Sequence, residues 1–163
     1  MIPKKIQPYL KIKFQKNDGD NELIGGLLTC CDNHDFEIFV VGKIKYDFFS
    51  KAYLFPENNR IIVEAHCKKC GKAIQVFDSN CDGYEHRLRE KVQHACVPTK
   101  IIHCKKCRCM TFSINIKYEY PNDMDFEESG IICHDNAFTW IWIMLECSKC
   151  GAKYRKFVDF ETA

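Results

Sequence analysis

The stretch Cys147-Ser148-Lys149-Cys150-Gly151 contains two thiols three positions apart, followed by a glycine. Two cysteines at this spacing can direct both sulfurs toward one ion, because the glycine permits a tight turn after the second cysteine. Related pairs occur at Cys67-Lys68-Lys69-Cys70-Gly71, at Cys104-Lys105-Lys106-Cys107 and at Cys31-Asp32-Asn33-His34. Four ligand pairs are enough for two tetrahedral metal sites, and we expect these sites to decide the fold.

The two halves of the chain repeat one another. A shift of 73 residues aligns the first ligand pair with the third, and a shift of 80 aligns the second with the fourth. Each pair lies between runs of β-branched and aromatic residues, which predict strands. An internal duplication explains this order. It predicts two sites, the first formed by Cys31, His34, Cys67 and Cys70, and the second by Cys104, Cys107, Cys147 and Cys150.

The ligand types indicate the metal. Thiolates with an occasional imidazole are typical of structural Zn²⁺, and four protein ligands leave no position for water or substrate. We therefore expect two structural zinc ions and no catalytic metal, with mononuclear iron as the alternative in the four-cysteine site. Cys30 stands beside Cys31 and is the alternative ligand there. Cys31 is preferred because it preserves the spacing of the other pairs and aligns with Cys104.

The middle of the chain has a different pattern. Asp82 can cap a segment from 83 to 95, in which Tyr84, Leu88 and Val92 fall on one helical face. The chain is therefore expected to be mainly β with one central helix. The predicted division is a first half at 1–80, the connecting helix with its flanks at 81–98, and a second half at 99–163.

The pairs Cys67/Cys70 and Cys147/Cys150, each flanked by β-runs and followed by glycine, resemble the knuckles of zinc ribbons. Zinc ribbons are small antiparallel β units that hold one zinc between two hairpin tips. The resemblance is architectural and covers most of residues 23–79 and 99–160. It implies two duplicated units, and the long interval between the two pairs of each site implies extra strands in each unit.

Two further features concern the strand predicted at 137–145, which is apolar on both faces. Trp140 and Trp142 lie on the same face of this strand and are expected in the core, although an exposed pair would be a candidate interface anchor. Cys133 and His134 precede the strand and combine nucleophile and base types. Consecutive residues of an extended chain point to opposite faces, so no catalytic pair is predicted.

Composition limits the class of protein. The 163 residues are 46% apolar, which is enough for a core, and include 12 cysteines. The N-terminus shows no secretory signal pattern, and no apolar run is long enough to span a membrane. Closely spaced cysteines therefore favour metal over disulfides, and we expect a cytoplasmic protein without membrane association.

Charge and site chemistry together suggest the partner. The formal charge of +2 falls to about −1 when seven ligand thiolates and two zinc ions are counted, whereas a phosphate-binding protein should be strongly positive. We expect a non-enzymatic module that binds another protein. One form would be an inhibitor or immunity protein whose acidic stretch Asp123 to Glu128 meets the basic cleft of a toxin or other enzyme. The alternative is nucleic-acid binding through the knuckle lysines: Lys68, Lys69, Lys105, Lys106 and Lys149.

Overall fold

A computed structural model describes residues 2–47, 51–84, 96–121 and 136–162. Within these ranges the chain forms β-strands and no helix. The strands are β1 (Leu10–Asp18), β2 (Asn21–Leu28), β3 (Phe36–Val41), β4 (Lys43–Tyr46), β5 (Ala52–Phe55), β6 (Ile62–Cys67), β7 (Ala73–Asp78), β8 (Lys100–Ile101), β9 (Thr111–Pro121), β10 (Trp140–Cys147) and β11 (Lys153–Glu161).

Nine of these strands form one antiparallel sheet. Its main path runs β1-β2-β9-β3-β6-β7, while β10 pairs with both β9 and β11, and β8 pairs with β3. Strands β4 and β5 form a separate hairpin. Every paired strand in both sheets is antiparallel to its neighbour.

Strand β9 pairs with strands from both halves of the chain. One edge pairs with β2 from Asn115 to Pro121 and with the start of β3 at Phe112. The opposite edge pairs with β10, from Phe112 opposite Cys147 to Glu119 opposite Trp140. Strands β2 and β3 therefore follow one another along one side of β9, and β10 covers the other side.

The predicted fold class is wrong in two respects. The described residues are all-β, without the predicted central helix, and strands of both halves share one sheet instead of forming two units. The long alternating strand β9 is the physical reason, because both of its edges are paired within the chain. The boundaries proposed at 1–80, 81–98 and 99–163 stay predictions.

The predicted helix does not begin at Gly83. This residue has a φ of 95°, outside the helical region, and an added Cβ would overlap the side chain of Thr162. The next amide, of Tyr84, donates to the carbonyl oxygen of Phe138 at 2.9 Å. Three segments used for predictions lie outside the described residues: the rest of the predicted helix at 85–95, the acidic stretch at 123–128, and the residue pair at 133–134.

The core lies on one face of β9 and β10. Buried and partly exposed residues alternate along both strands, as expected for a sheet with one face covered. Ile116 and Tyr118 of β9 and Ile141 and Ile143 of β10 are each at most 1% exposed. Strand β10 is therefore central by its pairing, but only one of its faces is buried.

A polar network fixes the turn after β7. Arg60 makes two hydrogen bonds to the carboxylate of Asp78, at 3.0 Å from Nε and 2.6 Å from Nη2, and Lys5 pairs with Asp82. Both carboxylates are buried, with Asp78 1% and Asp82 5% exposed. Burial raises the pKa of Asp78, but the bonds from Arg60 and from the Asn80 amide hold it below its usual value.

Candidate metal centres

Three of the four predicted ligand pairs adopt the same backbone turn. The carbonyl oxygen of the first cysteine accepts a hydrogen bond of 2.8–2.9 Å from the amide four positions later, and its own amide donates to the carbonyl five positions later. The residue four positions later has a positive φ each time: 73° at Gly71, 70° at Gly151 and 65° at Arg108. The turn at Cys104/Cys107 therefore has the same backbone conformation as the other two, with Arg108 in place of their glycine.

The C-terminal centre brings together all four residues predicted for it. The sulfur atoms of Cys104, Cys107, Cys147 and Cys150 all lie within 4.8 Å of one another. The distance is 3.6 Å from Cys104 Sγ to Cys150 Sγ and 3.5 Å from Cys107 Sγ to Cys147 Sγ. A tetrahedral site with Zn–S bonds of about 2.3 Å has sulfur–sulfur edges of about 3.8 Å. The group thus has nearly the size that such an ion requires.

The sheet itself positions this centre. Cys147 ends β10 opposite Phe112 at the start of β9, and the turn containing Cys104 and Cys107 immediately precedes β9. The amide of Ser148 donates to the carbonyl oxygen of Thr111 at 3.0 Å and holds the two turns together. Cys104 and Cys147 are buried, while Cys107 and Cys150 are partly exposed.

Hydrogen bonds prepare one sulfur of the C-terminal centre as a thiolate. Burial raises the pKa of Cys104, but the Tyr154 hydroxyl, which donates to its sulfur at 3.4 Å, and the amides of Cys107 and Lys106 lower the pKa to about 6. The Cys109 amide lowers the pKa of Cys107, yet burial and the neighbouring cysteines raise it to about 12. Four thiolates at this spacing repel one another, and a divalent cation among them would remove that repulsion.

The N-terminal centre is built on a different turn. The amide of Cys30 donates to the carbonyl of Asn33 at 2.8 Å, and the reverse bond measures 2.9 Å. Cys31 and Asp32 between them have φ values of 54° and 56°. Two consecutive positive φ angles are typical of a type I′ hairpin turn, which differs from the turn of the other three pairs.

This turn changes which residues converge. The sulfurs of Cys30, Cys31 and Cys70 lie within 4.8 Å of one another, with Cys30 Sγ 3.8 Å from Cys31 Sγ and 3.7 Å from Cys70 Sγ. Cys67 lies beside them, and its sulfur is 3.6 Å from the carbonyl oxygen of Cys30. His34 is exposed and is not a member of the converging group. A ligand role for His34 therefore rests on the sequence repeat alone.

The N-terminal centre is also more open than its counterpart. Cys31 and Cys70 are exposed, whereas Cys30 and Cys67 are buried. Burial raises the pKa of Cys30 to about 12, with a further contribution from its neighbouring thiols. Burial also raises the pKa of Cys67, but the amides of Cys70 and Lys69 and the side chain of Asn33 lower it to about 7. Two cysteine groups thus offer enough sulfur ligands to hold metal ions, one shielded and one accessible.

The sequence indicates Cys30 only as the alternative to Cys31, because the turn that brings Cys30 to the sulfur group depends on backbone angles at two non-glycine residues. It does not indicate two further contributors. Tyr154, which bonds to Cys104 from β11, lies outside the spacing pattern of the ligands. Arg108 was not expected to replace the glycine of the other knuckles. Cys109 lies beside the C-terminal centre, and its sulfur accepts a hydrogen bond from the Thr111 amide at 3.4 Å.

Comparison with known proteins adds no family to these observations. No protein-family model, curated protein or solved structure matches the chain. The resemblance to zinc ribbons therefore rests on the turns and the cysteine groups. In the part of the chain that the structure describes, no helix is long and apolar enough to cross a membrane.

Proposed function

We propose that both cysteine groups hold structural zinc ions and that the chain is a non-enzymatic module that binds another protein. The observation that carries this proposal is the convergence of Cys104, Cys107, Cys147 and Cys150 within 4.8 Å. Four thiolates fill a tetrahedral shell and leave no open position for water or substrate. Such an ion stabilises the fold instead of activating a nucleophile.

One cavity between described residues has a lining without catalytic groups. It has a volume of about 390 Å³ and is lined by Ile2, Lys4, Gln7, Leu10, Ile12, Gln15 and Ile24. This lining contains no cysteine, histidine or carboxylate, so it offers no nucleophile paired with a general base. We therefore do not assign a reaction to this cavity and place the proposed function on the surfaces that the zinc centres would hold in place.

A protein partner fits the knuckle lysines better than nucleic acid does. Lys68 Nζ lies 2.9 Å from Glu37, and Lys69 Nζ donates to the carbonyl oxygen of Cys31 at 3.0 Å. Lys105 Nζ lies 4.8 Å from the centre of the Tyr46 ring. These intramolecular contacts compete with phosphate contacts, and the charge of the zinc-loaded chain would be close to neutral. An inhibitor or immunity protein for a toxin or other enzyme with a basic cleft is the form we favour.

Metal analysis of untagged protein tests the first part of the proposal. We expect two zinc ions per chain and a colourless protein, because Zn²⁺ has a filled d shell. Iron in the four-cysteine site would give a coloured protein and would contradict the assignment of zinc. Comparing the zinc content of Cys30→Ser, Cys31→Ser and His34→Gln variants identifies the N-terminal ligands. We expect loss of the ion in Cys30→Ser and retention in His34→Gln.

Affinity purification from the native host tests the second part. The zinc-loaded chain should recover a protein that re-forms a stable complex with it when the two purified components are mixed. Recovery of no such protein, even at low salt, would contradict a protein-binding role. Salt-sensitive binding to DNA or RNA that is lost in Lys68→Ala/Lys69→Ala and Lys105→Ala/Lys106→Ala variants would support the alternative function instead.

A further inference from the structure

The face of the sheet opposite the core carries a tryptophan pair. Trp140 and Trp142 project from β10 and are partly exposed, and their rings stack with centroids 5.6 Å apart and an interplanar angle of 13°. These are the chain's 2 tryptophans. Large aromatic residues that are partly exposed on a rigid strand are common anchors of protein interfaces.

Carboxylates surround Trp140. In the sheet register Trp140 lies directly between Glu119 of β9 and Glu161 of β11. The indole Nε1–H donates to Asp159 Oδ1 at 2.7 Å, which places a third carboxylate beside the same ring. Residues directly opposite in antiparallel strands have Cβ atoms about 5 Å apart. The three carboxylates and the indole therefore form one patch.

Part of this negative charge is already balanced within the chain. Lys156 Nζ lies 3.2 Å from Asp159, and Asn21 Nδ2 donates to Glu119 at 3.3 Å. Lys156 offsets one of the three carboxylates, and Lys117, opposite Trp142 on the same face of β9, offsets a second, so the patch keeps a net negative charge of about one. Glu161 is exposed at its edge.

The neighbouring indole, of Trp142, already has a cation over its face. Lys117 Nζ lies over Trp142 at 3.5 Å from the ring centre, so a cation already occupies that indole. A cation over an indole face is attracted by the electron-rich ring, and nearby carboxylates add to this attraction. Phosphate groups of a nucleic acid would be repelled by the same carboxylates.

We propose that Trp140, with the carboxylates of Glu119, Asp159 and Glu161, forms a docking patch for arginine side chains on a basic partner protein. The inference rests on the proposed protein-binding function and assigns it to a surface. It also supplies, among the described residues, the negative charge that a basic cleft requires. Arginine suits the patch because its guanidinium can stack on an indole and bond to a carboxylate at the same time.

Tryptophan fluorescence tests this patch directly, since Trp140 belongs to it and the chain's other tryptophan, Trp142, stacks against Trp140. The zinc-loaded chain is titrated with a nona-arginine peptide and, separately, with a single-stranded thymidine oligonucleotide. The test variant is Glu119→Gln/Glu161→Gln. The control is Glu37→Gln/Glu57→Gln, which removes the same charge. Glu37 pairs with Thr111, about 26 Å along β9 from Glu119 at about 3.3 Å per residue. Glu57 lies between β5 and β6.

We expect a saturable fluorescence change with the peptide and none with the oligonucleotide. Peptide affinity should fall about tenfold in the test variant, because two carboxylates beside the Trp140 ring lose their charge. It should stay unchanged in the control. Equal losses in both variants, or preferential binding of the oligonucleotide, would overturn the docking patch.

Binding of the native partner to the test variant distinguishes failure of the docking patch from failure of the protein-binding function. A partner that binds the Glu119→Gln/Glu161→Gln variant as tightly as the parent would overturn the docking patch and leave the protein-binding function intact. The absence of any partner would remove that function itself.

Discussion

The cysteine turns provide a quantitative test, because the same position with positive φ is a glycine in two of them and an arginine in the third. Gly71, Gly151 and Arg108 occupy the same position of three similar turns, at φ values of 73°, 70° and 65°. A Cβ added at Gly71 or Gly151 would have no neighbouring atom within 4 Å. Replacing either glycine by alanine therefore changes backbone strain without introducing a steric clash.

The expected size of the effect follows from two opposing terms. A residue with a Cβ in the left-handed region costs about 1–2 kcal/mol relative to glycine. Alanine recovers about 0.4–1 kcal/mol by restricting the unfolded chain. The difference is about 1 kcal/mol, which corresponds to about a fivefold change in an equilibrium constant. Because forming the turn and binding the ion are coupled, this change should lower metal affinity.

Competition with a chromophoric zinc chelator measures that affinity for each centre. Gly151→Ala should weaken the C-terminal centre about fivefold, and Arg108→Gly should strengthen it by about fivefold or less. The matched control is Gly19→Ala, in the turn between β1 and β2. Gly19 has a φ of 64°, and an added Cβ there would also lack neighbours within 4 Å. This control should lower the free energy of unfolding without changing metal affinity.

Two results would contradict this prediction. Gly151→Ala could bind zinc as tightly as the parent, which would mean that the turn does not limit binding. Arg108→Gly could weaken binding, which would mean that the arginine side chain contributes more than its backbone strain costs.

Three further predictions concern the centres and the fold. An excess of chelator should remove zinc in two phases, the faster from the N-terminal centre because Cys31 and Cys70 are exposed; release of both ions at one rate would contradict this. Tyr154→Phe removes the bond to Cys104 and should raise the pH at which the C-terminal centre loses half its zinc, measured by chelator titration. Asp78→Asn should lower the free energy of unfolding by about 3 kcal/mol in urea denaturation at neutral pH, because Arg60 loses its buried partner. The folded-state pKa of Asp78 lies below its unfolded value, so this carboxylate stabilises the fold above about pH 4 and that contribution is lost on acidification through the folded pKa. The variant should therefore show a shallower loss of stability in acid, and an unchanged acid profile would argue against the pair.

Local chemistry in the sequence was sufficient to predict the C-terminal centre. Two cysteines three positions apart can place both sulfurs on one turn. The repeat then predicts which two turns contribute to the same metal site. The structure brings Cys104, Cys107, Cys147 and Cys150 to one point, as the repeat predicts. The alternating pattern that identifies strands is similarly local, since adjacent side chains of an extended chain face opposite sides.

Strand pairing and the composition of the N-terminal cysteine group depend on contacts between residues that are distant in sequence. Strand β9 could therefore take partners from both halves and replace two expected units by one sheet. The N-terminal centre depends on a hairpin turn with positive φ at two non-glycine residues, which brought Cys30 to the sulfur group and left His34 outside it. The pair Cys147 and Cys150 needed only its own spacing to indicate a ligand turn. Its partner thiols and the tyrosine that bonds to one of them became neighbours only through the register of β9, β10 and β11.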